Sequence, residues 1–169
     1  MEQMLNMALE TTEEMVFDRG YTALSDVNSM DVFARINERK YLTPSGKLAI
    51  TVIVESTSQI KNYSDCIGDP AYETIICIYM GNITIAHKAI EKNSYYKIEI
   101  LPVSFLIKNV SKHVLQPIVT KDDTGFKHRG KLPKISFYDP IVRYYKFNHK
   151  DILKITSKIN GTIHYRIVV

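Results

Sequence analysis

Residues 131–169 read KLPKISFYDPIVRYYKFNHKDILKITSKINGTIHYRIVV, and nearly every position in that run has a local structural task. The β-branched and aromatic residues 134–137 lead into Asp139-Pro140. Proline suits the first turn of a helix, where its missing N–H loses no bond. The Asp139 carboxylate just ahead of it can accept from the free amides of that turn. A short helix is therefore expected at Pro140, running to about Tyr145, with a turn over residues 146–151. A strand over 152–155, a tight turn at Asn160-Gly161 and a closing strand over 163–169 make a hairpin. Asn-Gly between two β-rich runs is the strongest short hairpin signal, because both central residues must accept positive φ. The stretch reads as a small α+β module.

Outward from this module the charge changes sign. Residues 121–169 carry 11 Lys/Arg against 4 Asp/Glu, whereas residues 1–120 carry 11 against 14. Together with the polar loop Lys121-Asp-Asp-Thr-Gly125, that contrast predicts an N-terminal domain over 1–119, a linker over 120–130 and a C-terminal domain over 131–169. A basic module can face nucleic acid or an acidic protein surface. Lysine outnumbers arginine 16 to 6, and lysine-rich surfaces serve solvation as readily as specific contact.

The first 119 residues alternate helical and extended patterns. Leu5, Ala8, Leu9, Thr12, Met15 and Val16 recur at helical spacing over residues 3–17, and Gly20 after Asp18-Arg19 suits a left-handed cap. A second helix is signalled by Ser29 as cap, Asp31 in its first turn and Val32, Phe33 and Ile36 as its apolar face. After a turn at Thr43-Pro-Ser-Gly46, residues 48–54 read as a buried strand. Thr57 or Ser58 is expected to cap a helix over 60–66, which Gly68-Asp-Pro70 breaks. Strands follow at 74–79 and 96–101, with a segment turning helical over 83–90 between them, and Pro102 opens a short helix over 103–106. Residues 113–119 look extended. The pattern is α/β with a mixed sheet and flanking helices.

Composition and motifs bound the function. Hydrophobic content of 45% and charged content of 24% are those of an ordinary globular chain. No run approaches the roughly 18 apolar residues of a membrane span, and the acidic, interrupted N-terminus is no secretory signal, so the chain is expected to stay where it is made. Cys66 and Cys77 form no disulfide framework or zinc spacing; Cys77, inside an apolar run, reads as a buried thiol. Glycine-rich phosphate loops, HExxH and nucleophile motifs are absent, and the histidines at 87, 113, 128, 149 and 164 are scattered. Asp69 and Glu73 could begin a metal-dependent nuclease site, but no Glu-x-Lys follows on the next strand. No catalytic residue, metal or cofactor is expected.

Leu132-Pro133-Lys134-Ile135, Asp139-Pro140 with Tyr144 four residues on, and Tyr165-Arg166-Ile167 together resemble the fifth subunit of eukaryotic nuclear RNA polymerases, shared by polymerases I, II and III, and its archaeal counterpart. Met15-Val-Phe-Asp-Arg-Gly-Tyr21 is similar to that family's MVxDRGY helix end, and Gly81-Asn82-Ile83-Thr84 to a third landmark. The resemblance spans the chain, including an N-terminal jaw domain that the archaeal counterpart lacks. It departs where residues 116–125 keep only the proline of an inter-domain element, where Ile85-Ala86 replaces a Pro-Ser pair, and in a shortened hairpin turn.

The resemblance implies a non-catalytic polymerase subunit. Its C-terminal assembly domain would dock on the largest subunit, and its jaw domain would lie beside downstream duplex DNA. Candidate partner contacts are Asp139, Pro140, Arg143, Tyr144, Tyr165 and Arg166. The two arginines qualify because a guanidinium fork pairs well with carboxylates, and the tyrosines because they offer broad contact area; Asp139 also serves as a helix cap. DNA-proximal candidates are Asn82, His87 and Lys88. Small-molecule substrate and membrane have no place in this picture. The alternative from charge alone is a free-standing nucleic-acid-binding protein. With 22 isoleucines, the Ile/Lys/Asn/Tyr-rich composition suggests an AT-rich genome. Together with the pruned linker, it points to a large DNA virus rather than a cellular nucleus.

Overall fold

Helix α1, Glu2–Asp18, buries Ala8, Thr11, Thr12, Met15 and Val16, a stripe set by their three- and four-residue spacing. It ends at Gly20, whose φ is +80°. There the Gly20 N–H donates to the Phe17 carbonyl and the Tyr21 N–H to the Val16 carbonyl. This double closure needs a residue in the left-handed region, which glycine enters without strain. The computed structural model describes residues 2–24, 38–63, 65–124 and 129–169. The helix expected from Ser29 to Ile36 lies outside them, as do linker positions 125–128.

The chain divides into two compact units, Met1–Lys108 and Asn109–Val169. The first holds a five-stranded sheet of β1 Thr22–Ala23, β2 Glu38–Leu42, β3 Leu48–Val54, β4 Tyr72–Tyr79 and β5 Ile98–Pro102, in that spatial order. The first three strands run antiparallel and the last three parallel. Helices α2 Thr57–Lys61 and α3 Asp65–Gly68 cross from β3 to β4, and α4 Ile85–Asn93 crosses from β4 to β5. Parallel strands are covered on both faces, so they read as continuous aliphatic runs.

Register explains the core. Ile50, Ile75 and Ile98 form one cross-strand row, and Val52, Cys77 and Ile100 the next; with Val54 and Ile60 of α2 they make the aliphatic cluster. Burial pushes the Cys77 thiol up to about 12, so it stays a protonated core group. The opposite face carries the row Thr51, Ile76 and Glu99. Glu99 is 4% exposed and would be an expensive buried charge alone. Arg19 meets it with both terminal nitrogens, Nη1 at 3.1 Å and Nη2 at 2.9 Å, and Thr74 Oγ1 donates to it at 2.9 Å. Burial opposes the Arg19 charge, but the Glu99 carboxylate outweighs it and holds the guanidinium above its ordinary range. Tyr21 beside them is pushed up to about 12, first by burial.

Several local expectations shift. Ser56, rather than Thr57 or Ser58, caps α2: its Oγ accepts from the Gln59 N–H, and Gln59 Oε1 accepts in return from the Ser56 N–H at 3.1 Å, a capping box. That helix closes at Lys61, where the Asn62 N–H folds back on the Gln59 and Ile60 carbonyls, so no continuous helix spans 60–66. Helix α5, Val103–Leu106, follows Pro102 as expected, with the proline as its cap.

The second unit holds β6 Ile118–Lys121, β7 Lys134–Ile135, helix α6 Pro140–Tyr144, β8 Ile152–Thr156 and β9 Ile163–Val168. Its sheet order is β6-β8-β9-β7, with β6 and β9 antiparallel to β8 and β7 parallel to β9. Residues 118–121 are therefore an integral strand here, and the division falls after Lys108 rather than in the expected linker. Charge could not reveal this, since a four-residue strand is recognised only by its distant partner. On this division the second unit carries 12 Lys/Arg against 4 Asp/Glu, a balance of +8. The hairpin loop also differs. Only Gly161 takes positive φ, +67°. The Ser157 N–H donates to the Thr162 carbonyl, leaving residues 158–161 as a four-residue loop. Asn160 uses its side chain to accept from the Thr162 N–H and hydroxyl.

Replacing Arg19 or Glu99 singly by alanine strands a buried charge and is expected to lower stability by about 3–5 kcal/mol. The double replacement Arg19→Met with Glu99→Leu should recover most of that loss. Urea denaturation followed by far-ultraviolet circular dichroism measures both. Equal losses for single and double variants would contradict the assignment of the pair as a mutually compensating one.

Candidate functional site

Three sequence motifs of the second unit converge. In α6, Asp139 is extended and its Oδ1 accepts from the Ile141 N–H at 3.0 Å, with Pro140 in the first turn. Pairing of β7 with β9 brings Leu132-Pro-Lys-Ile onto Tyr165-Arg-Ile: the Ile167 N–H donates to the Pro133 carbonyl and the Val169 N–H to the Ile135 carbonyl, both at 2.9 Å. Helix α6 then buries Ile141, Val142, Arg143 and Tyr144.

This packing sorts the candidate contacts. Tyr144 is fully buried, and its hydroxyl accepts from Asn109 Nδ2 at 3.0 Å; it belongs to the core and is no surface contact. Arg143 is a second correction. It is 6% exposed, and its guanidinium lies 5.4 Å from the Phe137 ring centre and 5.8 Å from that of Tyr138, within cation–π range. Phe137 in turn stacks on His149 at 4.2 Å, so the buried guanidinium packs on aromatic rings rather than being presented outward. Pro140 and Arg166 stay exposed, Asp139 and Tyr165 half-buried. Strand alternation puts Tyr165 and Arg166 on opposite faces of β9. The Arg166 Nη1 reaches the Lys134 carbonyl at 3.4 Å.

On the α6 side of the sheet runs a groove of about 400 Å³. Val119, Ile135 and Ile155 contribute from three strands. Val110, Pro117, Pro140 and Ile141 add further apolar lining, and Gln116, Asp139 and Arg166 add polar groups. Sequence reading found Asp139, Pro140 and Arg166. The expected boundary after residue 119 sets Val110, Gln116, Pro117 and Val119 apart from the module, and nothing local marks Ile135, Ile141 or Ile155 as groove lining. The usable signal was the alternation of β8, which puts Leu153 and Ile155 on one face.

The DNA-proximal candidates divide as well. A Cβ at Gly81 would come within 2.9 Å of the Tyr79 ring, so a larger residue there would displace that ring. Thr84 caps α4, and His87 takes the position usually held by Glu or Gln in the box: its Nδ1 accepts from the Thr84 N–H at 3.1 Å. His87 Nε2 lies 3.0 Å from Thr57 Oγ1, and its ring packs edge-on against Tyr79 at 4.5 Å. At 2% exposure, His87 is a structural residue and does not face DNA; burial holds its pKa below the ordinary value. Asn82 and Lys88 are exposed.

The acidic pair considered for a nuclease is also structural. Asp69 accepts from the Ala71 N–H at 2.8 Å, and Glu73 accepts from the hydroxyls of Thr43 and Ser45. Among the described residues no cluster of three metal-ligating side chains occurs.

A family model described as RNA polymerase Rpb5, C-terminal domain, matches residues 126–168. Over 189 aligned residues the chain is 31% identical to a protein of Invertebrate iridescent virus 6 named as a DNA-directed RNA polymerase subunit, 454R; the match covers 98% of this chain and 100% of the viral protein. It is 30% identical over 180 residues to subunit 5B of DNA-directed RNA polymerases IV and V of Arabidopsis thaliana, covering 90% of this chain and 82% of the plant protein. With the Dictyostelium discoideum subunit rpabc1 of polymerases I, II and III it shares 31% identity over 128 residues, 66% of this chain and 65% of the relative.

The buried His87 cap carries a pH signature. Its folded pKa lies below the unfolded value of 6.5, so the unfolded chain takes up the proton first. Its contribution to stability is full above that value and is lost as pH falls from 6.5 towards the folded pKa. His87→Gln, which keeps an acceptor at the cap, should flatten this part of the stability–pH curve. Denaturation at stepped pH checks it, and an unchanged slope in the variant would remove His87 as the source. Separately, Asp139→Ala should lower stability by about 1 kcal/mol through loss of the α6 cap, read from the denaturation midpoint.

Proposed function

This chain belongs to the Rpb5 family of DNA-directed RNA polymerase subunits, and on that premise we propose that it is a non-catalytic subunit of a multisubunit polymerase. It docks on the largest subunit through its C-terminal unit and holds its N-terminal unit, as a jaw, beside downstream duplex DNA. The observation that carries this reading is similarity to the viral subunit over 98% of the chain, which includes both units. The exposed Pro140 and Arg166 and the half-buried Tyr165 support a docking role for the second unit. Its basic surface suits acidic protein partners.

The N-terminal unit carries 10 Lys/Arg against 14 Asp/Glu, so its part beside DNA is that of a guide rail rather than an electrostatic clamp. Asn82 and Lys88 are the surface groups of the predicted set that remain for it. The protein works at the site of transcription: the nucleus for a cellular polymerase, the virion and infected-cell cytoplasm or nucleus for a viral one. The iridescent-virus relative supports the viral setting. The charge of +8 on the second unit favours one competing reading, a free-standing nucleic-acid-binding protein.

Affinity capture of tagged full-length protein at modest salt is expected to recover the largest polymerase subunit, and recovery of none would sink the proposal. The free chain should bind duplex DNA weakly at low salt. Tight binding that falls steeply with salt, without polymerase recovery, would favour the free-standing protein.

A further inference from the structure

We propose that the groove on the α6 side of the second unit's sheet seats an extended, apolar segment of another polymerase subunit, anchored by a carboxylate that pairs with Arg166. The inference rests on the reading of the chain as a polymerase subunit and names the chemistry of one contact.

The shape comes from the strand order. Val119, Ile155 and Ile135 come from β6, β8 and β7, and β9 lies between the last two, so the floor crosses the sheet. Strands about 4.8 Å apart make that crossing about 14 Å, the reach of about four extended residues. Pro117 and Pro140, both lining the groove, have no N–H to offer, so an occupant lying across the strands gains by filling apolar space rather than by adding a strand. Beside Pro117 the chain exposes Val114 at 82% and Leu115 at 64%. Two and three residues ahead of Pro117 in the chain, these exposed apolar side chains offer further contact to a protein partner.

The charge comes from Arg166. Its hydrogen bond to the Lys134 carbonyl is long, 3.4 Å, and among the described residues no acid lies in ion-pair reach of it. Asp139, the acid in the groove lining, is engaged as the α6 cap. A guanidinium at the margin of an apolar trough, in a unit of net charge +8, selects a carboxylate, which it can grip with two parallel bonds. The apolar floor does not suit a phosphate backbone, so the occupant is protein.

Full-length tagged protein is co-produced with its polymerase subunits, captured, and the recovered largest subunit quantified. Arg166→Glu should lower recovery about tenfold and Arg166→Gln should lower it less. Lys134→Glu, with the same charge change on the opposite face, should leave it near the parent value. Val114→p-benzoylphenylalanine, irradiated in the assembled complex, should crosslink to a polymerase segment that combines apolar residues with Asp or Glu. Changing that acid to Arg should restore recovery of the Arg166→Glu protein. If the parent recovers polymerase and both Arg166 variants match it, the groove proposal is overturned while the subunit reading stands. Crosslinking to a second copy of this chain or to nucleic acid also overturns it. If the parent recovers no polymerase, the subunit reading fails and takes this inference with it.

Discussion

A guanidinium closed on a carboxylate inside the first unit is the constraint on which that unit depends. Arg19 follows the end of α1 and Glu99 sits on β5, 80 residues later; neither side chain is more than 5% exposed. The pair couples two local decisions. Gly20 must turn left-handed to release the chain from α1, and that turn brings Arg19 onto the sheet face where Glu99 waits. A buried pair of this kind is weak evidence for net stability and stronger evidence for a defined arrangement, because any other register leaves one charge alone. Volume-conserving exchange among Ile, Val and Leu is expected to cost the aliphatic rows on the other face little. Loss of one partner from the ionic row is expected to cost far more.

The second unit solves the same problem of definition around helix α6. Its helix has only five residues, too short to persist alone, and is held by a proline start, an aspartate cap and the burial of four consecutive side chains. Arg143 is taken into an aromatic stack and Tyr144 into a hydrogen bond with Asn109. What remains outward is Pro140, Arg166 and the apolar groove between them. Residues that make the motif recognisable are thus mostly those that build the module, and fewer are those that meet a partner.

That division explains what could be read from sequence. Elements with a local cause were legible: the α1 stripe and its glycine stop, the aliphatic runs of β3 and β4, the Asp139-Pro140 start. Features with a distant cause were not. Strand β6 is an edge defined only by β8, and without it the domain boundary slid past residue 118. His87 read as a DNA-proximal group, because its place in the Thr84 capping box and its contacts with Thr57 and Tyr79 exist only in the folded chain. Arg143 looked like a presented charge because its two aromatic neighbours, Phe137 and Tyr138, are assembled around it only by folding. Residue type suggested contact; register decided burial.

The strand order of the second unit also dictates a sequence of events. Strands β8 and β9 are joined by a short loop and pair with each other first by proximity, whereas β6 and β7 each touch the sheet along one side. β6 must find a partner more than thirty residues ahead, and β7 must align in parallel with a strand that exists only once the hairpin has closed. Loop-closure entropy makes such distant pairings the slow ones. On that entropy argument the hairpin is expected to form first and serve as a template, and the groove, which needs both edges in position, is expected to form last.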